Sequence, residues 1–195
     1  MNRKAKSLRT TSRNEGEHNM KINSAEDLKA LVRDVPDFPK KGILFKDITP
    51  ILKEPQALQF AVDELADLLE GTHPDQIAGI ESRGFIFSPI LAYKLKAGFI
   101  PVRKRGKLPA KTIRASYALE YGESELEIHQ DAVSEGMKVA IVDDLLATGG
   151  TSKAAIQLVE KLGGEVVAVA FLVELGFLKG RDKLASYNVL SLIQY

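Results

Sequence analysis

The chain has 195 residues, 45% of them hydrophobic, and a formal net charge of +1, which is enough for one well-packed domain and short for two. That balance argues against a bulk nucleic-acid or membrane-surface partner, so any positive site must be local. Without cysteine, with only His18, His73 and His129 at no ligand-like spacing, and with no apolar run of bilayer length, disulfides, thiolate chemistry, a histidine metal site and a membrane span are all disfavoured.

Residues 1–19 are basic and Ser/Thr-rich with almost no apolar content, and read as a flexible tail. Arg and Ser there suit an organelle transit peptide, against which Glu15 and Glu17 stand, and Met20 is an alternative start. No apolar core of a secretory signal is present, so a cytoplasmic location is expected. From residue 20 onward a single domain is expected. Ser24 with Asp27 resembles a capping box, and Leu28, Leu31 and Val32 form a short stripe, predicting a helix to about Asp34. Pro36, Pro39 and Gly42 break it. The following Ile43–Pro50 is too short and too Pro-bounded for a central strand, and Phe45 within it reads by default as core, with stacking on a flat base as the other use. Pro55 opens a second helix whose Leu58, Val62, Leu65 and Leu69 share one face, and Gly71 ends it.

Gln76–Ile80 reads as a strand joined by Glu81-Ser82-Arg83-Gly84 to a helix over Phe85–Leu95. Arg83 at that turn suits an oxygen anion as well as it suits a solvated surface. Another strand, Phe99–Val102, runs into Arg103-Lys104-Arg105-Gly106-Lys107. Such a run is ordinarily a solvated loop, but here it follows a buried strand, where an open sheet binds its ligands. Lys111–Gly122 and the alternating Glu123–His129 suggest a mobile hairpin acting as a lid, with Glu120 reading as a solvated hairpin acid.

Val139–Val142 is apolar and mostly β-branched, a strand buried on both faces, and a helix follows from Ser152 to about Lys161. Between them lies Asp143-Asp144-Leu145-Leu146-Ala147-Thr148-Gly149-Gly150-Thr151. Hydroxyls, small side chains and free amides at a helix start suit a phosphate. Two carboxylates just before it would repel a bare phosphate but accept hydrogen bonds from a ribose diol, so the stretch fits a ribose 5-phosphate; metal binding is the other use of paired acids. Neither a P-loop lysine motif nor a dinucleotide G-x-G-x-x-G turn is present. Val166–Val173 and Asn188–Gln194 read as the closing strands, with a loop from Glu174.

Val139–Thr151 resembles the phosphoribosyl-pyrophosphate signature of the type I phosphoribosyltransferases, in the wording of the adenine-using members. The resemblance runs from about Val32 to Tyr195 and implies an α/β fold: a twisted, mostly parallel sheet flanked by helices, with a small N-terminal hood over about residues 20–53. It implies transfer of a phosphoribosyl group from 5-phosphoribosyl 1-pyrophosphate to adenine, giving AMP and pyrophosphate with magnesium (Mg2+), by a homodimer whose lid or basic loop crosses the interface. Gly42–Ile48 is similar to the family's hood segment, so Phe45 would stack on adenine while main-chain atoms of Leu44 and Lys46 read its edge. Lys46 stands where arginine is common. Asp143 and Asp144 would hold ribose, and Ala147, Thr148, Gly149, Gly150 and Thr151 the 5′-phosphate. Glu81, Ser82, Arg83, Arg103, Lys104 and Lys107 would meet pyrophosphate, with a cis peptide at Glu81-Ser82, and Glu120 would carry a proton to or from the purine. Alternatives are a different purine base, or a non-catalytic regulator that senses the phosphoribosyl ligand.

Overall fold

The computed structural model describes residues 21–118 and 123–195, so the expected tail over residues 1–19 lies outside the described residues. Ser24 caps helix α1 (Ala25–Leu31) by accepting from the Asp27 amide at 3.2 Å, and Asp27 in turn accepts from the Asn23 amide at 2.9 Å. The helix is shorter than the sequence pattern predicts. Val32 turns to extended backbone and Arg33–Pro36 becomes strand β1, paired antiparallel with β2 (Leu44–Asp47). Ion pairs cross this small sheet, Arg33 to Asp47 at 2.5 Å and Lys46 to Asp34 at 2.6 Å. A local apolar stripe cannot register such partners more than ten residues away.

A short helix, α2 (Thr49–Lys53), then leads into α3 (Pro55–Glu70), which begins at the expected proline. The main sheet follows: β3 (Gln76–Ile80), α4 (Gly84–Leu95), β4 (Gly98–Lys104), the hairpin β5 (Thr112–Ala118) and β6 (Glu123–His129), β7 (Lys138–Leu146), α5 (Gly150–Lys161), β8 (Glu165–Glu174) and β9 (Val189–Gln194). Its strand order is β5-β6-β4-β3-β7-β8-β9. Five strands, β4-β3-β7-β8-β9, pair parallel out to one edge, and the β5-β6 hairpin adds antiparallel pairs at the other.

Two apolar clusters cover the sheet. Leu65 and Leu69 of α3 and Phe87 and Leu91 of α4 pack with Val142 and Ala170 on one face; Ala155, Ile156 and Val159 of α5 pack with Ile141 and Phe171 on the other. The chain leaves β3 for β4 on one side and leaves β7 for β8 on the other. Neighbouring strands β3 and β7 therefore send their connections to opposite faces, and a crevice opens at their carboxyl ends.

Candidate active site

The crevice holds a cavity of about 690 Å³, within the range usual for small-molecule sites. Its lining joins Leu44, Phe45 and Lys46 of β2 to Arg83 and to Ala147, Thr148, Gly150 and Thr151 before α5. Residues more than a hundred apart in sequence thus meet in one chamber. The loop turns through Gly149, whose φ of 76° places it in the left-handed region, and a Cβ there would stand 2.7 Å from the Gly180 carbonyl oxygen. Gly180 in turn lies directly on the Ala147 carbonyl. The phosphate-type loop is therefore seated on a second glycine far along the chain.

Beside the cavity, β7 runs two residues past the twin acids to Leu146, so Asp143 and Asp144 belong to the strand rather than to a loop. Asp143 is half-buried against the start of α4: a Cβ on Gly84 would come within 3.0 Å of its Oδ1. Asp144 is 3% exposed, and its Oδ2 lies 2.8 Å from Arg83 Nε yet receives no aligned hydrogen bond. Loss of water pushes the Asp143 carboxyl well above the usual carboxylate range, and the neighbouring Asp144 charge adds to this. Burial raises Asp144 as well, against the pull of the Arg83 guanidinium. A carboxylate pair with raised pKa values at the edge of a cavity marks a candidate functional site, and the buried Asp144 oxygen without an aligned hydrogen bond suits a hydroxyl donor or a cation.

The basic stretch sits at the end of β4. Glu81, at the end of β3, gathers it: Arg103 Nε lies 3.2 Å from one carboxylate oxygen, Lys107 Nζ bonds to the other, and the Lys104 amide donates at 3.2 Å. Burial disfavours the charged Glu81, but the hydrogen bonds from Lys107 and Arg103 outweigh it and hold the pKa below the ordinary value. The Glu81-Ser82 peptide is cis, as the resemblance implies, and so is Phe38-Pro39. Glu120 lies outside the described residues. No group of three or more His, Cys, Asp or Glu able to hold a metal occurs among the described residues, and none of their helices is long and apolar enough to cross a membrane.

The sequence reading missed part of the lining. Tyr117 from β5, Leu145, and Leu175, Phe177 and Leu178 after β8 all face the cavity. The signal for the last three was present: β8 is the next parallel strand, and the rule that ligands sit at carboxyl ends covers its following turn too.

A model of the phosphoribosyl transferase domain matches residues 49–193. The chain belongs to the phosphoribosyltransferase family. It is 58% identical over 170 residues to an adenine phosphoribosyltransferase of Thermoanaerobacter sp., covering 87% of this chain and 98% of that one. A crystal structure of the adenine phosphoribosyltransferase from Thermoanaerobacter pseudethanolicus superposes with a TM-score of 0.86 at 56% identity, over 88% of this chain and all of the other. The Saccharomyces cerevisiae enzyme, crystallised with adenine and an imino-altritol bisphosphate, gives 0.83 at 45% identity over 86% and 97% of the two chains. The α/β fold with a mostly parallel sheet is the family's own.

Two outcomes follow from the site's energetics. A carboxyl whose folded pKa is raised destabilises the fold above that pKa, and the penalty fades as pH falls toward the unfolded value. Asp143→Asn keeps the oxygen that accepts the Asp144 amide at 2.9 Å, so a thermal melt at pH 7.5 should rise by about 2–4 °C for each kcal/mol relieved, and the gain should shrink at pH 5. An unchanged or lower melting temperature at both values contradicts the burial argument. Gly149→Ala should cost about 1–3 kcal/mol in urea unfolding, from left-handed strain and the clash with Gly180.

Proposed function

We propose that this chain is an adenine phosphoribosyltransferase of purine salvage: it joins adenine to the phosphoribosyl group of 5-phosphoribosyl 1-pyrophosphate and releases AMP and pyrophosphate. The observation that carries the reading is the single cavity lined by both the hood strand and the Ala147–Thr151 loop, because it can seat a flat base and a phosphate at the two ends of one ribose. The substrate named for the closely similar relatives is the same base.

The roles divide by chemistry. Phe45 offers its ring to the base, and Leu44 and Lys46 offer peptide groups, whose fixed donors and acceptors distinguish an exocyclic amine from an oxygen. Thr148, Gly149, Gly150 and Thr151 present amides and hydroxyls at the start of α5 to the 5′-phosphate, with Ala147 at the loop entry. Asp143 and Asp144 take the ribose hydroxyls and lie near the anomeric carbon as it gains positive character. Arg83, Arg103, Lys104 and Lys107, with the Glu81-Ser82 turn, take the leaving pyrophosphate; as it arrives it replaces Glu81 as the partner of Arg103 and Lys107. The bond from the anomeric carbon to the pyrophosphate oxygen breaks, a purine nitrogen bonds to that carbon, and Glu120 accepts the proton that nitrogen loses. Holding base and sugar in line supplies up to about 7–11 kcal/mol in ideal cases.

Magnesium fits the acids here as a pair rather than a cage. Asp143 and Asp144 are two adjacent carboxylates, of which Asp144 Oδ2 is ion-paired with Arg83 but accepts no aligned hydrogen bond, and Mg2+ ordinarily binds through one or two carboxylates plus substrate phosphates. Bound with the pyrophosphate, it supplies charge neutralisation of the leaving group. In this reading residues 20–195 are one domain with the hood over about residues 20–53, and the enzyme is cytoplasmic.

A second copy completes the assembly in this reading, as a homodimer. Helix α4 is apolar nearly all round: its outward Ile90 and Tyr93 are 40% and 86% exposed, and its partly exposed Phe85 meets the partly exposed Phe99 ring edge-on. Ile90→Asp with Tyr93→Lys should convert a dimer to a monomer in sedimentation velocity; an unaltered dimer places the interface elsewhere. The activity itself is tested by mixing purified protein with each purine base, 5-phosphoribosyl 1-pyrophosphate and magnesium, and identifying the nucleotide. AMP should form to the near exclusion of the others, and Glu120→Gln should lower turnover about 10²–10⁴-fold. A variant within threefold of wild type removes Glu120 from the proton transfer, and formation of another nucleotide overturns the assignment of adenine.

A further inference from the structure

Glu127 lies in the middle of β6, outside every feature described so far, yet it is 1% exposed. A buried carboxylate is costly unless its oxygens are well met, and an apolar residue is the ordinary solution in a covered strand. Here the oxygens are met by the basic loop. Oε1 accepts the backbone amides of Lys107 and Leu108, each at 3.1 Å, while Oε2 lies 3.4 Å from Thr112 Oγ1 and 3.5 Å from Arg114 Nε. Across the strand pair, Arg103 stands opposite Glu127, and its Nη1 donates to the Lys107 carbonyl at 3.0 Å. The backbone of Lys107 is therefore held at both its N–H and its C=O, while its side chain is left to Glu81. Glu81 thus holds the Arg103 and Lys107 side chains together with the Lys104 amide, while Glu127 holds the main chain at Lys107 and Leu108.

Arg103, Lys104, Arg105 and Lys107 repel one another, and a glycine at 106 with φ of 80° leaves their loop conformationally free. Without an internal acceptor, the amides of Lys107 and Leu108 would have no partner among the sheet's ladders. We propose that Glu127 is a positioning residue: it fixes the main chain of the basic loop so that the Lys107 and Arg103 cations converge before the pyrophosphate of the sugar substrate arrives. This inference rests on the pyrophosphate role given to the loop above.

The test uses the full chain with Glu127→Ala and the isosteric Glu127→Gln, which keeps an acceptor and loses the charge. Amide hydrogen exchange at Lys107 and Leu108 reads the brace without any substrate. Steady-state kinetics read KM for 5-phosphoribosyl 1-pyrophosphate and for adenine separately. In Glu127→Ala, exchange at those two amides should quicken about tenfold or more, and KM for the sugar substrate should rise about tenfold while KM for adenine stays within about twofold. Glu127→Gln should recover most of both losses. Should Glu127→Ala fail to fold, Glu127→Gln still decides: its exchange at Lys107 and Leu108 should exceed that of wild type while distant amides do not change. Unchanged exchange in the folded variants, or an equal loss toward both substrates, overturns the proposal. A wild-type protein inactive with 5-phosphoribosyl 1-pyrophosphate would instead sink the enzymatic reading, while the exchange result would still report on the brace.

Discussion

Three separately folded pieces of the site meet at one cation. Arg83, at the turn after β3, places its Nε 2.8 Å from Asp144 of β7 and its guanidinium carbon 5.2 Å from the centre of the Phe45 ring in the hood strand. An exposed ion pair is worth about 0–1 kcal/mol, whereas leaving a buried carboxylate uncompensated costs about 3–5 kcal/mol. With the Asp144 side chain only 4% exposed, the second regime governs. Asp143, immediately before it, makes no ion pair among the described residues and is driven toward its neutral form by loss of water and by Asp144, against a weaker pull from Arg83. The acids that make this edge of the sheet useful are thus tolerable because the neighbouring parallel strand delivers a positive charge to the same spot, and that delivery is possible because β3 and β7 are adjacent.

A pattern of opposed charge extends along the whole carboxyl edge. Glu81 and Glu127 hold the basic loop, and farther along the sheet Glu174 holds Arg181, with oxygens 2.9 and 2.5 Å from its nitrogens and a further bond from Ser191 at 2.6 Å. The hydrogen bonds from Arg181, with that from Ser191, outweigh burial and keep Glu174 below its ordinary pKa. The arginine follows Gly180, the residue on which the Gly149 turn rests, so the pair anchors the seat of the glycine loop. Each cation or loop proposed to meet an anion has a carboxylate behind it that fixes its geometry. Preorganisation of this kind matters more than net attraction, since donors already aimed at developing charge need not reorganise during the reaction.

Most of the fold was legible because its strongest signals are local. Pro55 and Gly71 bound α3, four β-branched or small apolar residues mark β7, and the rule that ligands sit at strand ends drew attention to the Arg83 turn and the glycine loop, which line the cavity, and to the basic run, which does not. What escaped was non-local. β1 exists because Arg33 and Asp34 find Asp47 and Lys46 across a turn, and helical spacing after Ser24 extends smoothly into it. Gly180 owes its importance to a carbonyl more than thirty residues earlier, and Glu127 looks in sequence like any polar member of an alternating hairpin strand. Phe177 and Leu178 were hidden by a different cause: a turn after a buried strand was read as a mere loop.

Lys46 shows how one such contact bears on specificity. Where the family resemblance leads one to expect an arginine, this chain has a lysine, which invites the thought that base recognition has changed. The side chain, however, is 9% exposed, its ammonium lies 2.6 Å from Asp34 and 3.9 Å above the centre of the Tyr195 ring, and Tyr195 is itself bonded to the Lys29 carbonyl through its hydroxyl. The charge is spent on fastening the hood strand to the end of the chain. What β2 leaves for the cavity is therefore Leu44, Phe45 and the Lys46 main chain, and main-chain groups are the same whichever cation sits at position 46. A long cation that anchors its own backbone in this way can be exchanged without altering what β2 presents to the cavity, provided the replacement still reaches Asp34 and Tyr195.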